Sequence, residues 1–498
     1  MKKHHSLISF LLLMIFVVVG AQPVATTFAQ QSQKPTVAKS QNDVAGRIRR
    51  IENGLLPAVI VKGEPNAAMK LADRMQFYKT PGVSVAVINN GKIEWARGYG
   101  VKKAGTDEKV TPETLFQAAS ISKPVAAVAA LRLVEKGKLS LDADVNQKLV
   151  GWKVPENEFT KTKKVTLRET LSHNAGLTVH GFGGYAASEQ VPTLPQILNG
   201  EKPANSAPVR VDVAPGSVWR YSGGGFTVLQ LLMQDATIKP FPELMRETVL
   251  SRIGMRHSTY EQPLPGSLQP RAAAGHDRDG KTIVGDYHVY PEMAAAGLWT
   301  TPSDLALFAI EIQKSLAGKS NKVLSQKMTE QLLTVQKGEW GLGLALNGAG
   351  GAARFSHGGA NDGFRCMMIA YNQTGQGAVV MTNSDNGGQL ASEILFAVAK
   401  EYGWADFAPV VKIIAKVDAK IYDAYVGQYE LASGLVVSLT RENDKLFVAA
   451  AGQKFDLLPE SETAFFTLSN STVEFVKDES GEVTHLLLNK TNRARKIK

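Results

Sequence analysis

The stretch Leu115–Leu139, LFQAASISKPVAAVAALRLVEKGKL, constrains this chain more than any other. From Val125 to Val134 its only charged residue is Arg132. An apolar helix of this kind must be buried on nearly every side. Pro124 fixes where it begins. Proline has no N–H and clashes inside a helix, but it is tolerated in the first turn, where N–H groups have no intrahelical partner. The helix therefore starts at about Ser120 or Ile121 and runs to Lys136, with Gly137 as its stop. A helix wrapped on all sides needs a large domain around it. The chain, with 498 residues, 44% apolar and 20% charged, is of that class.

That start puts Ser120 at the positive helix end, with Lys123 one turn away on the same face. A hydroxyl beside an amine, in a partly desolvated and electropositive setting, is the arrangement of an activated nucleophile. An N-cap serine followed by a surface lysine gives the same pattern, so the pair needs support from elsewhere in the chain.

Two later segments supply it. PGSVWRYSGGGFTVLQLLM places Tyr221 before a glycine-rich turn and a second apolar helix, and RFSHGGANDGF places His357-Gly358-Gly359 at a strand end. With these motifs in this order, and with the flanks LSHNAGL, SRIGMRHSTY, MAAAGLWTTPSDLALF and WGLGLAL, the chain resembles the serine β-lactamase and penicillin-binding-protein superfamily over roughly 45–400. Within it, the resemblance is to the class C β-lactamase-like branch of esterases, D-aminopeptidases and D,D-carboxypeptidases. It implies an α+β fold, with an antiparallel sheet flanked by helices, an all-helical lobe and the site between them. It also implies that Ser120 is the nucleophile of an acyl-enzyme and that Lys123 shares or orients the departing proton. Tyr221 is then the general base for attack and the acid for the leaving group, its pKa lowered by the nearby ammonium. The backbone N–H groups of Ser120 and Ala360 would form the oxyanion hole. His357, Gly358 and Gly359 would bind substrate, the glycines letting it approach the strand closely. Neither a cofactor nor a metal is expected.

Two positions depart from the family pattern. Gly223 stands where the family's middle motif has an asparagine that bonds the lysine and the substrate's amide; Ser222 or Asn174 is a candidate replacement. His357 stands where β-lactamases carry lysine, and a mostly neutral imidazole holds a carboxylate less firmly, with Arg365 a candidate source of positive charge. Both favour esters or small D-amino-acid amides and peptides as substrates. A β-lactamase or D,D-carboxypeptidase stays open, as does a non-catalytic cell-wall peptide-binding protein with a decayed site. Ser384-Asp385-Asn386 imitates another family motif but lies after the His-Gly-Gly strand, so it reads as a turn; DRDGK at 277–281 reads as a hairpin turn, not a calcium loop.

The organisation around this domain is read from pattern. Residues 1–29 carry Lys2 and Lys3, an apolar run from Leu7 to Val19 and then small residues, as in a signal peptide cleaved after Ala21 or Ala29. The run is short for a span of about 20 residues. The chain is therefore expected to be exported, periplasmic or secreted from a bacterium, with no transmembrane anchor after cleavage. Residues 30–44 read as a flexible leader, 45–405 as the β-lactamase-like serine hydrolase domain and 406–420 as a linker. Residues 421–498 hold eight short strand-like runs, an antiparallel barrel or sandwich that resembles the lipocalin-like barrel often appended to such hydrolases. Val83, Val85 and Val87 alternate before Asn90-Gly91, a hairpin signal, and strands return late in the domain, so one sheet is expected from both its ends. The single cysteine, Cys366, excludes an internal disulfide and reads as a small buried hydrophobe. The net charge of +10 would draw an exported protein toward anionic envelope polymers, but no nucleic-acid motif is present. The expected partner is a small ester, amide or peptide, with cell-wall fragments among the candidates. The oligomeric state is not legible.

Overall fold

The computed structural model describes residues 43–64, 68–431, 435–450 and 453–498. The signal peptide and nearly all of the leader lie outside the described residues. Val44 is already the first residue of a helix, Val44–Glu52, capped by the Asp43 side chain.

Contacts divide the chain into a unit Met69–Phe407 and a second unit in which the described residues before Met69 join Ala408–Lys498. The sequence reading began the hydrolase domain at residue 45. Instead, Val59–Val61 pairs in parallel with Val410–Lys412, so the first described residues belong with the second unit, and part of the expected linker is strand.

The larger unit is built on an antiparallel six-stranded sheet. Its strands are β1 (Gly82–Asn89), β2 (Lys92–Gly100), β3 (Ala345–Asn347), β4 (Arg354–Asn361), β5 (Phe364–Tyr371) and β6 (Gly377–Thr382), ordered β2-β1-β6-β5-β4-β3. Both ends of the domain thus meet in one sheet, through the pairing of β1 with β6. The hairpin β1–β2 turns at Asn90 and Gly91, both with positive φ, the conformation that two-residue hairpins need. Cys366 lies buried on β5. Helices Pro302–Leu316 and Gly387–Tyr402 pack on the sheet. The first is capped as its sequence predicts, with Thr301 Oγ accepting from the Asp304 amide and Pro302 in its first turn.

The opening apolar stretch forms a 3₁₀ turn, Ala119–Ile121, followed by helix α1, Ser122–Glu135. Pro124 falls within the first turn, as its chemistry requires, and Gly137 follows the helix with φ +68°. Val125 to Leu131 are all buried. The elements packed on it include α2, Gly223–Thr237, the short α3, Met293–Ala296, and the segments Arg246–Leu250 and Gln326–Leu332. The 3₁₀ turn itself lies against β4. The sheet edge, α1 and the start of α2 therefore converge on Ser120.

In the second unit eight strands, from Gly427–Leu431 to Asn492–Lys496, close into an antiparallel barrel. Side chains fill its interior. Tyr425 and Phe475 stack at 4.0 Å and 5° between ring planes, with Tyr429, Phe465 and Leu486 buried around them.

Candidate active site

The predicted catalytic trio is assembled in space. Lys123 Nζ is buried and donates to Ser120 Oγ at 2.9 Å and to the Ala295 carbonyl at 2.8 Å. Its remaining surroundings are aromatic, with the Tyr221 ring centroid at 4.9 Å and that of Phe226 at 5.9 Å. Among the described residues it has two acceptors and no counter-ion beside it, so the ammonium is poorly stabilised, and burial pushes its pKa from 10.5 down to about 7. Ser120 is half-buried and follows Ala119, which has φ +50°. A side chain other than glycine in this region is strained, here in the turn that presents the hydroxyl.

Tyr221 departs from expectation. Burial raises the pKa of its hydroxyl instead of the ammonium lowering it; the proximity of Ser120 opposes this only weakly. Among the described residues the Tyr221 hydroxyl is buried and makes no hydrogen bond of ordinary geometry. Burial thus favours the neutral amine of Lys123 and the protonated phenol of Tyr221 near neutral pH, the reverse of the lowered Tyr221 pKa that the resemblance implies.

The β4–β5 register bears on the oxyanion hole. Asn361 pairs with Phe364 across a two-residue turn, so Ala360, opposite Arg365, occupies a non-hydrogen-bonded position in that ladder. Its N–H points away from β5, and β3 pairs only as far as Ser356. Among the described residues no strand pairs with β4 at Ala360 on that side, so by register its N–H lies at the open sheet edge where the Ser120 turn packs.

His357 is fully buried on β4. Its Nδ1–H donates to the Gly358 carbonyl at 2.6 Å, which leaves Nε2 as a lone pair, buried and without a partner among the described residues. Burial first, then the charge of Lys123, holds its pKa down to about 3, so this imidazole is neutral. Arg365 does not restore a cation. Its guanidinium pairs with Asp385 at 2.9 Å and donates to the Asn361 and Phe364 carbonyls. Gly359 is required by the chain itself rather than by substrate: a Cβ there would lie 2.2 Å from the Ala118 carbonyl oxygen.

Gly223 has a similar cause. A Cβ at this position would meet the His180 carbonyl oxygen at 3.0 Å and Phe182 at 3.1 Å, because the loop 178–182 folds over the start of α2. The Gly223 and Gly224 amides donate to the His180 and Val179 carbonyls at 3.0 and 2.9 Å. Among the described residues no hydrogen bond links either candidate replacement for the asparagine to Ser120, Lys123 or the Tyr221 hydroxyl. Ser222 Oγ is the cap of α2, accepting from the Gly225 amide and donating to the Thr178 carbonyl. Asn174 Oδ1 accepts from Ser172 Oγ.

Four further residues surround the trio; His173, Trp219 and Trp340 lay in segments quoted for the resemblance without being singled out, and His180 lay outside them. His173 stacks on Tyr221 at 4.2 Å and 28°. Its Nδ1 accepts the Ser222 amide at 3.1 Å and its carbonyl accepts the Arg220 amide at 2.7 Å, so it grips the chain on both sides of Tyr221. It does so with φ +58°. Buried Trp340 meets His173, Tyr221 and His357 at 4.9, 5.9 and 5.4 Å, and Trp219, 38% exposed, stacks on Trp340 at 5.7 Å. The fourth is His180, whose ring lies 5.0 Å from that of Tyr221. Trp219 is two residues from Tyr221 in the chain; His173, His180 and Trp340 are brought to it by folded loops with no local pattern that links them. Ser384–Asn386 and 277–281 are turns, as expected; Asp277 Oδ1 accepts the Asp279 and Lys281 amides, and Ser384 Oγ donates to the Lys79 carbonyl.

Known proteins agree with this architecture. The sequence matches the Beta-lactamase family over residues 68–401 and a domain of unknown function, DUF3471, over 412–497. It is similar to penicillin-binding protein 4* of Bacillus subtilis (strain 168), with 25% identity over 84% of this chain and 94% of that one. Its fold is similar to that of an octameric penicillin-binding protein homologue from Pyrococcus abyssi, with a TM-score of 0.60, 21% identity, and 85% and 98% of the two chains covered. A D-alanine carboxypeptidase from Burkholderia cenocepacia is also similar, with a TM-score of 0.52, 22% identity, and 65% and 96% covered. With its sheet, its Ser120–Lys123 pair and a family match spanning most of its length, this chain belongs to the Beta-lactamase family.

Proposed function

We propose that this protein is a serine hydrolase that cleaves esters or small D-amino-acid amides and peptides through an acyl-enzyme on Ser120. The observation that carries this is the Lys123 amine: buried, 2.9 Å from Ser120 Oγ and, with a pKa near 7, deprotonated in part at neutral pH. Lys123 takes the Ser120 proton as Oγ attacks the carbonyl carbon. The amides of Ser120 and Ala360 stabilise the negative charge that develops on the carbonyl oxygen, each such donor being worth about 3 kcal/mol of barrier. Tyr221, held protonated, hydrogen-bonds the leaving group, and the proton that Lys123 took from Ser120 passes to that group, relayed through the Tyr221 hydroxyl so that the phenol is restored. Water then attacks the acyl-enzyme; in this second half Lys123 takes a proton from the attacking water and returns it to Ser120 Oγ.

The neutral His357 and the paired Arg365 favour this substrate class over a β-lactam or a free-carboxylate D,D-dipeptide, which asks for a fixed cation. Turnover of p-nitrophenyl acetate by the full chain, and its loss in Ser120→Ala, tests the reading. Equal turnover by both proteins would overturn it.

A further inference from the structure

We infer that His180 is a specificity-determining residue, its exposed imidazole hydrogen-bonding a secondary amide of the substrate adjacent to the reacting carbonyl.

The inference rests on the proposed role of Ser120 and on four observations. The first is position: the His180 ring lies 5.0 Å from that of Tyr221, tilted 45°, on the side of the site formed by the loop 178–182. The second is access. His173 and His357 are fully enclosed, whereas His180 is the exposed imidazole of the three that surround Tyr221. The third is rigidity. The His180 carbonyl accepts the Gly223 amide at 3.0 Å and the Val179 carbonyl accepts the Gly224 amide at 2.9 Å, so the loop is tied to the first turn of α2. The fit is close: a Cβ at 223 would lie 3.0 Å from the His180 carbonyl oxygen, so a side chain there would require the loop to shift by a few tenths of an ångström. Glycine at 223 thus lets the loop, and the imidazole it carries, lie this close to the start of α2. The fourth is charge. Partial burial of the ring, and after it the charge of Lys123 when protonated, favour the neutral form of His180.

A neutral imidazole carries one N–H donor and one lone pair. A secondary amide carries one acceptor and one donor, so the two are complementary in either tautomer. A carboxylate offers acceptors only and would use half of this capacity.

The test uses the full chain and two esters: p-nitrophenyl acetate, which lacks an amide, and the p-nitrophenyl ester of N-acetylglycine, which has one beside the reacting carbonyl. The quantity read is the ratio of kcat/KM for the amide-bearing ester to that for the acetate. In His180→Ala this ratio is expected to fall at least about 10-fold, carried mainly by KM, the loss of about one hydrogen bond to the substrate. His180→Gln, which keeps a donor and an acceptor, is expected to recover part of it. An unchanged ratio in His180→Ala would overturn the assignment, whether the two rates fall together or neither falls. Labelling of Ser120 by a fluorophosphonate separates the two levels of the argument. If the wild-type protein is labelled and the ratio does not move, the His180 assignment alone fails. If it is neither labelled nor active, the role of Ser120 fails and the assignment falls with it.

Discussion

At the scale of single residues, the two groups beside Ser120 are separated by what burial does to their charge. Desolvation disfavours an ammonium and equally disfavours a phenolate, so the same enclosure frees Lys123 of its proton and holds the proton on Tyr221. The consequence is a rate that depends on pH with a definite sign. Lys123 acts as its neutral amine, so kcat/KM for an uncharged ester is expected to rise as pH increases through about 7. Lys123→Arg, which cannot deprotonate, should lose about 10²–10⁴-fold in kcat/KM and flatten this rise; a pH series on both proteins checks it. His173 acts on Tyr221 by stacking and by accepting the Ser222 amide. Asparagine retains an acceptor and tolerates positive φ, whereas phenylalanine retains only the stack. His173→Asn is therefore expected to keep more of kcat than His173→Phe, with KM for a small ester little affected in either. Steady-state kinetics of the two variants decides this.

At the scale of elements, close approaches between segments explain residues that motif reading attributes to substrate. Gly359 lies under the backbone of Ala118, so Gly359→Ala forces β4 and the Ser120 turn apart. It is expected to cost roughly 1–3 kcal/mol by urea denaturation, with a larger fractional loss of activity. Glu292, at the start of α3, is buried with neither carboxylate oxygen hydrogen-bonded among the described residues, and burial raises its pKa to about 8. A carboxyl that holds its proton in the folded state and loses it near 4.5 in the unfolded state makes stability decline as pH rises from about 4.5 to 8. Glu292→Gln removes that decline, so its melting temperature relative to wild type should be higher at pH 9 than at pH 5; a thermal series measures it. Helix α1 was legible because Pro124 and Gly137 mark its ends chemically. The close approach of the loop 178–182 to Gly223 was not, because backbone packing between distant segments leaves no local pattern.

At the scale of the whole molecule, the sequence pattern carried the sheet built from both ends of the larger unit, the late strands and the eight strands of the barrel, since alternation and turn residues act locally. The grouping of residues 43–64 with the second unit was not legible, because three-residue strands such as Val59–Val61 and Val410–Lys412 are defined only by their pairing. In the barrel, the Tyr425–Phe475 stack occupies the interior. Phe475→Ala should lose about 3–5 kcal/mol by chemical denaturation. The candidate site divides along the same line: Ser120, Lys123, Tyr221 and His357 stand in ordered motifs, whereas the charge states of Lys123 and Tyr221 depend on enclosure by loops remote in sequence. The central claim is that Ser120 is a nucleophile activated by Lys123. Its most direct test is peptide mapping by mass spectrometry after incubation of the full chain with a fluorophosphonate probe at pH 8. The account predicts a single adduct on the peptide containing Ser120, strongly reduced in Lys123→Arg. A protein left unmodified at Ser120 would contradict it.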